Sequence, residues 1–154
     1  MLIVLEGCDG AGKTELANFL AKVLDAEIVH CSTHTANNFK FFDEILYAAR
    51  DRNIIADRFC YGQFVYQHED NRPLADEHGS AETNLGILEI RMLQSNAKVI
   101  YVTAPVDVIE ERLKARGEKL INGLTVEEIL NRYDTIIHNS LLPWTVYNTG
   151  RERS

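Results

Sequence analysis

The residues best suited to chemistry stand at the front of the chain, in Gly7-Cys8-Asp9-Gly10-Ala11-Gly12-Lys13-Thr14. They follow an apolar run from Met1 to Leu5 and lead into an amphipathic run that starts near Lys13. A phosphate-binding loop needs that context of strand, glycine-rich turn and helix. Glycines let successive backbone N–H groups converge on one concavity, and the helix N-terminus adds partial positive charge. Lys13 is placed to reach the outer phosphates and Thr14 to offer its hydroxyl to Mg²⁺. ATP with Mg²⁺ is therefore the expected ligand, cradled by Gly7, Asp9, Gly10, Ala11, Gly12, Lys13 and Thr14. Asp9 is the odd member. A carboxylate there repels phosphate unless it turns away or accepts a hydroxyl from a second substrate.

Other candidates lie further along. Asp57 ends a hydrophobic run, where a phosphate-loop protein places a carboxylate that helps hold Mg²⁺ directly or through water. The adjacent Arg58 can clamp a phosphate with paired donors or pair with Asp57 or Glu6. Glu6 can orient metal-bound water or pair with an arginine. Arg112 and Arg116 stand one helical turn apart, thickened by Lys114 and Lys119. Brought in by a closing segment, such guanidinium groups stabilise charge on a phosphoryl group in flight. At a helix C-terminus they are also favourable without any ligand. Tyr61, Phe64, Tyr66 and Gln67 could line a base pocket or serve as core and rim, with Phe64 the most core-like. His34 sits in a polar loop near the expected ligand edge, and no pair among the histidines has metal-ligand spacing. Trp144 and Tyr147 read as core, with the backbone of Asn148-Thr149-Gly150 beside the nucleotide base and Thr149–Ser154 as a polar tail.

These groups need a scaffold. Met1–Glu6, Glu27–His30, Asn53–Ala56, Lys98–Thr103 and Trp144–Asn148 read as strands. Helices are expected over Lys13–Leu24 (inner face Leu16, Phe19, Leu20, Val23), Phe39–Arg50 (Phe42, Ile45, Leu46, Ala49) and Phe59–Glu69. Three more are expected over Ala81–Asn96 (Leu85, Leu88, Met92, Leu93), from Pro105 to Arg116, and from Thr125 to Leu142-Pro143. Cys31–Asn38 and Asp70–Ser80 read as loops. Alternation of strand and helix implies an α/β fold, a five-stranded parallel sheet with helices on both faces, and ligands outside the strands' C-terminal ends. The 154 residues, 45% of them hydrophobic, suit one domain over 1–154.

Apolar runs stop well short of the roughly twenty residues of a membrane span. The apolar N-terminus lacks a basic flank and reads as a strand rather than a signal peptide. Cys8, Cys31 and Cys60 form neither a metal-spaced pair nor a disulfide framework, which favours a reducing, cytoplasmic setting. A net charge of −7 argues against holding duplex DNA by general attraction and favours a small-molecule acceptor.

Together these residues resemble the thymidylate kinase family of phosphate-loop kinases. Leu5 to Thr14 is similar to its phosphate loop, acidic Asp9 included, and Asp57-Arg58-Phe59 through Tyr66-Gln67 to its aspartate–arginine–aromatic signature and tyrosine–glutamine pair. Val99–Val102, Pro105, Arg112, Arg116 and Gly117 resemble its penultimate strand and the helix entering its lid, placed here around residues 112–124. Tyr133 falls where the family tends to carry a tyrosine. The resemblance implies a three-layer fold in which Lys13, Thr14 and the loop amides hold ATP. Asp57 would serve the metal, Arg58 the acceptor's phosphate and Asp9 its sugar, with Phe59, Tyr66 and Gln67 on the acceptor side, where position alone also puts His34. Arg112 and Arg116 would complete the catalytic set of Lys13, Asp57 and Arg58 on lid closure. Family members often form homodimers through helices.

The chain departs from the family in three ways. The loop after the second strand reads Ser32-Thr33-His34-Thr35-Ala36-Asn37 in place of an arginine–glutamate–proline stretch. Gly62 replaces a serine, and the lid and the segment after the last strand are short. These changes fall on the acceptor side or the periphery, and the compact size fits a viral member. The expected activity is transfer of the ATP γ-phosphoryl group to a pyrimidine deoxynucleoside monophosphate, dTMP or a modified-base analogue. One alternative is a kinase for a hydroxyl, on a deoxynucleoside or on a hydroxymethylated pyrimidine in DNA. Another is a nucleotide-binding protein without catalysis.

Overall fold

The computed structural model describes residues 1–31, 39–67, 72–119 and 123–150. Its strands are β1 (Leu2–Glu6), β2 (Glu27–His30), β3 (Ile54–Asp57), β4 (Lys98–Thr103) and β5 (Thr145–Asn148). The helices are α1 (Lys13–Leu24), α2 (Phe39–Ala48), α3 (Gly62–Tyr66), α4 (Ala81–Gln94), α5 (Val106–Ala115) and α6 (Val126–Asn139). The strands form one parallel sheet in the order β2-β3-β1-β4-β5. Leu2 pairs with Ile54 on one side of β1, and Ile3 with Lys98 on the other. The result is a three-layer α/β architecture of the phosphate-loop kinase type.

Period-two alternation divides β1 between two cores. Leu2 and Val4 join Ile54, Ala56 and Val99 under α2 and α4, where Phe42, Ile45, Leu46, Leu88 and Met92 close the packing. Ile3 and Leu5 face the other way, with Ile55 and Ala17, under α1. A third cluster ties Cys8 and Ala11 of the loop to Ile109 and Leu113 of α5 and to Ile129 and Tyr133 of α6. The loop is thus gripped by core packing from α5 and α6. Thr125 and Ser80 cap α6 and α4, accepting the N–H groups of Glu128 and Thr83 at 3.1 Å each.

Four expectations need correction. The inner face of α1 is Leu16, Ala17, Leu20 and Leu24, while Phe19 and Val23 are 62% and 63% exposed. The small Ala17 lets the helix approach the sheet closely, and that outweighs the bulk of Phe19. On α4, Leu88 and Met92 are buried but Leu93 is exposed, because the packed stripe ends one position earlier. The helix expected over Phe59–Glu69 is cut to Gly62–Tyr66. Its start is lost because Arg58 takes a left-handed φ of 64° and the Phe59 N–H bonds to Glu6 rather than back along a helix. Tyr147 is exposed because β5 is an edge strand, and Trp144 is half-buried against Tyr61 with ring centroids 4.8 Å apart. The three cysteines are free, buried thiols. Among the described residues no helix is long and apolar enough to cross a membrane.

Candidate phosphate-binding site

The C-terminal ends of β1, β3 and β4 deliver the candidate groups to one edge of the sheet. Gly7, at the end of β1, has no room for a side chain: a Cβ there would lie 2.2 Å from the Val102 carbonyl oxygen. Gly10 and Gly12 take left-handed φ values of 86° and 103°, which side chains disfavour. The Ala11 N–H closes the turn onto the Cys8 carbonyl at 3.0 Å. Gly12 caps α1 without a side-chain bond, so the first N–H groups of a twelve-residue helix remain directed at the loop's concavity.

Lys13 is buried at 7% exposure. Burial lowers its pKa and the neighbouring Arg58 lowers it further, against the pull of Asp57, Asp9 and Glu6. Arg58 follows β3, and its own N–H is fixed to the Leu5 carbonyl at 2.8 Å. Its Nη2 donates to Asp9 through a short bond and reaches the Tyr66 hydroxyl at 3.4 Å. The guanidinium carbon lies 4.9 Å from the centre of the Tyr66 ring. Arg58 Nε is buried and has no partner among the described residues. Burial opposes the charge of Arg58, yet Tyr66, Tyr133, Asp9 and Glu6 outweigh it and raise the pKa. The odd carboxylate of the loop thus meets a guanidinium.

Asp57 Oδ2 accepts from His30 Nδ1 at 3.0 Å; the carboxylate is mostly covered and the imidazole mostly open. Thr14, exposed on the first turn of α1, is the second oxygen donor that the sequence assigns to Mg²⁺. A hydroxyl and a carboxylate at the mouth of a phosphate loop are hard oxygen donors of the kind this ion takes, with water completing its shell. Glu6 does not reach the cleft. Its Oε2 accepts the Phe59 N–H at 2.8 Å and its Oε1 the Tyr133 hydroxyl at 2.9 Å. Burial pushes its pKa up to about 7 despite those bonds and the charges of Arg58 and Lys13.

Arg112 is not a free lid arginine here. Nη1 donates to Thr149 Oγ1 at 2.9 Å and to the Gly10 carbonyl at 3.1 Å, and Nη2 to the Thr149 carbonyl at 3.2 Å. Arg116 is half-exposed, 3.8 Å from Glu118. Asp9, Lys13, Thr14, Arg112, Arg116 and Thr149 line a cleft of about 650 Å³. Tyr66 belongs to the Arg58 side of the site and Gln67 follows it, half-buried. Phe59 does not reach the cleft: its ring packs in the core, 4.8 Å from that of Phe42. Tyr61 is likewise core, its hydroxyl on Glu89 at 2.8 Å, and Phe64 lies under Arg72. His34 falls outside the described residues. Thr149, in a segment read as tail with only its backbone near the base, was missed as a side-chain contributor. The available signal was a hydroxyl just past the last strand, at the sheet edge where ligands bind.

This sheet order, carrying this loop, is the architecture of a phosphate-loop kinase fold. No family model matches the sequence. The chain is 32% identical over 153 residues to the SPbeta prophage-derived uncharacterized protein YorR of Bacillus subtilis strain 168, covering 97% of this chain and 90% of that one. It belongs to the YorR family. A crystal structure of Bacillus subtilis YorR in complex with phosphorylated GDP superposes with a TM-score of 0.73 at 30% identity, over 97% of this chain and 85% of that one. Deoxyadenosine kinase from M. mycoides with bound dATP gives 0.58 at 18% identity, over 100% and 93% of the two chains, a likeness of fold.

Proposed function

We propose that the chain transfers the γ-phosphoryl group of ATP to the phosphate of a deoxynucleoside monophosphate, dTMP or a modified-base pyrimidine analogue, yielding ADP and the diphosphate. The observation that carries this reading is the place of Lys13, which begins α1 straight after the glycine loop, lines the cleft and is buried. Burial disfavours its charge, and the neighbouring Arg58 adds to that. A buried cation at a glycine loop suits phosphate groups that supply negative charge. The loop amides and Lys13 hold the donor's phosphates in this scheme. Arg58 grips the acceptor's phosphate, and Asp9 holds Arg58 while facing the acceptor's sugar. Mg²⁺ on Thr14 and Asp57 would compensate charge on the donor phosphates. Arg116 is the arginine carried in by the short lid around residues 112–124, while Arg112 braces the loop. An acceptor phosphate is already ionised, so alignment and charge compensation suffice.

The test is ADP release across a panel of nucleoside and deoxynucleoside monophosphates. GTP is included as a second donor because the YorR relative was crystallised with phosphorylated GDP. Turnover with a deoxynucleoside monophosphate supports the reading. Nucleotide binding without acceptor-dependent turnover leaves a binding protein instead.

The His30–Asp57 pair favours a second reading, transfer to a hydroxyl. That chemistry needs a base. Of the three carboxylates Glu6, Asp9 and Asp57, Glu6 is sealed and Asp9 is engaged with Arg58, and Asp57 has His30 beside it. Label from γ-labelled ATP appearing in deoxynucleosides or hydroxymethylated DNA, and not in monophosphates, would select it.

A further inference from the structure

We infer that Glu6 is a positioning residue that sets Arg58 and couples it to α6, the helix that follows the lid. This rests on the reading of Arg58 as the grip on the acceptor's phosphate. A left-handed arginine is held only where its surroundings fix it. Here the peptide groups on either side are fixed, the Arg58 N–H by the Leu5 carbonyl at 2.8 Å and the Phe59 N–H by Glu6 Oε2 at 2.8 Å. The other oxygen of the same carboxylate takes the Tyr133 hydroxyl at 2.9 Å, and that hydroxyl also lies 3.4 Å from the Gly7 carbonyl oxygen. One sealed side chain therefore joins the backbone beside Arg58, the start of the phosphate loop and α6. A shift of α6 moves Tyr133, and through Glu6 it moves the peptide that aims Arg58. When ionised, Glu6 accepts on both oxygens, which a glutamine amide cannot do. At 0% exposure Glu6 has no route to a reacting atom, so it acts through Arg58.

The test is steady-state kinetics of E6Q and Y133F with separate donor and acceptor titrations, each variant also made in an R58A background. E6Q is expected to raise the acceptor KM about fivefold or more and leave the donor KM within about twofold. Y133F, which deletes only a hydroxyl, should act in the same direction more weakly. The E6Q effect should vanish once Arg58 is gone. Equal shifts in both KM values, or an undiminished E6Q effect without Arg58, would overturn the inference. If the wild-type protein turns over no monophosphate, the proposed function fails on its own account. The coupling is then read from urea midpoints of E6Q, R58A and the double variant: non-additive midpoints support it and additive ones overturn it.

Discussion

Arg112 Nη1 donates to Thr149 Oγ1 at 2.9 Å, and that hydroxyl donates onward to the Ala11 carbonyl at 2.6 Å. A residue of α5 and a residue just past β5 thereby strap the outside of the phosphate loop. The strap sits close, since a Cβ on Gly12 would lie 3.1 Å from Thr149 Cγ2. The Gly10 and Ala11 carbonyls are thereby held on the side of α5 and the chain past β5.

Thr149→Val keeps the shape of the side chain and removes the strap's central hydroxyl. Ala11 then keeps only a long contact with Arg112, at 3.4 Å. The expected cost is about 1 kcal/mol of stability. Nucleotide affinity should weaken by roughly threefold to tenfold, because the loop no longer starts in its binding shape. Thermal unfolding and calorimetric titration with ATP check both halves.

Lys13→Met should move activity and stability in opposite directions. Lys13 is a buried cation whose surroundings disfavour its charge, with burial the largest cause and Arg58 the next. An apolar side chain of similar length removes that penalty. ADP release should fall below detection while the melting temperature stays level or rises. A variant that loses both together would show that the lysine is needed for the fold, not for phosphate.

Much of this arrangement was legible in the sequence, and the limits are instructive. The bounds of α1 could be read directly, because the loop's glycines fix where it starts and Asp25 takes the left-handed stop at φ 49°. Phe42, Ile45, Leu46 and Ala49 were legible as a buried stripe because large side chains and helical spacing agreed. Phe19 and Val23 have the bulk of core residues, yet the sheet sits against the smaller Ala17. Arg112 and Phe59 show a different limit. Phe59 packs on Phe42 in the core, while Arg112 lines the cleft but also bonds Thr149 from beyond the last strand. Spacing along the chain carries no information about such contacts.

Arg58→Lys should separate acceptor from donor. A lysine ammonium lacks the planar guanidinium whose Nη2 reaches both Asp9 and the Tyr66 hydroxyl and whose carbon lies 4.9 Å from the centre of the Tyr66 ring. The acceptor KM is expected to rise about tenfold with the donor KM little changed. Parallel titrations of the two substrates give the answer.

Glu6 should leave a mark on the pH dependence of stability, and its sign follows from the direction of its shift. Burial lifts its pKa from 4.5 to about 7 in the fold. The folded protein thus keeps a proton that the unfolded chain has released, and folding takes one up between those two values. The stabilisation is fully present below about pH 4.5 and is lost as pH rises through about 7. At ~1.4 kcal/mol for each pH unit, the whole effect is roughly 3 kcal/mol. Glu6→Gln has no proton to lose, so its stability should not fall over that window for this reason. Urea unfolding of both proteins at about pH 5 and about pH 8 isolates the difference, since every other group titrates in both. The wild-type protein should lose most of that amount relative to the variant. Parallel profiles would mean that Glu6 ionises as an ordinary carboxylate, and the burial argument would fail. A variant that is more stable at the higher pH yet weaker for the acceptor would mean that the chain keeps an ionised, sealed carboxylate for what it positions.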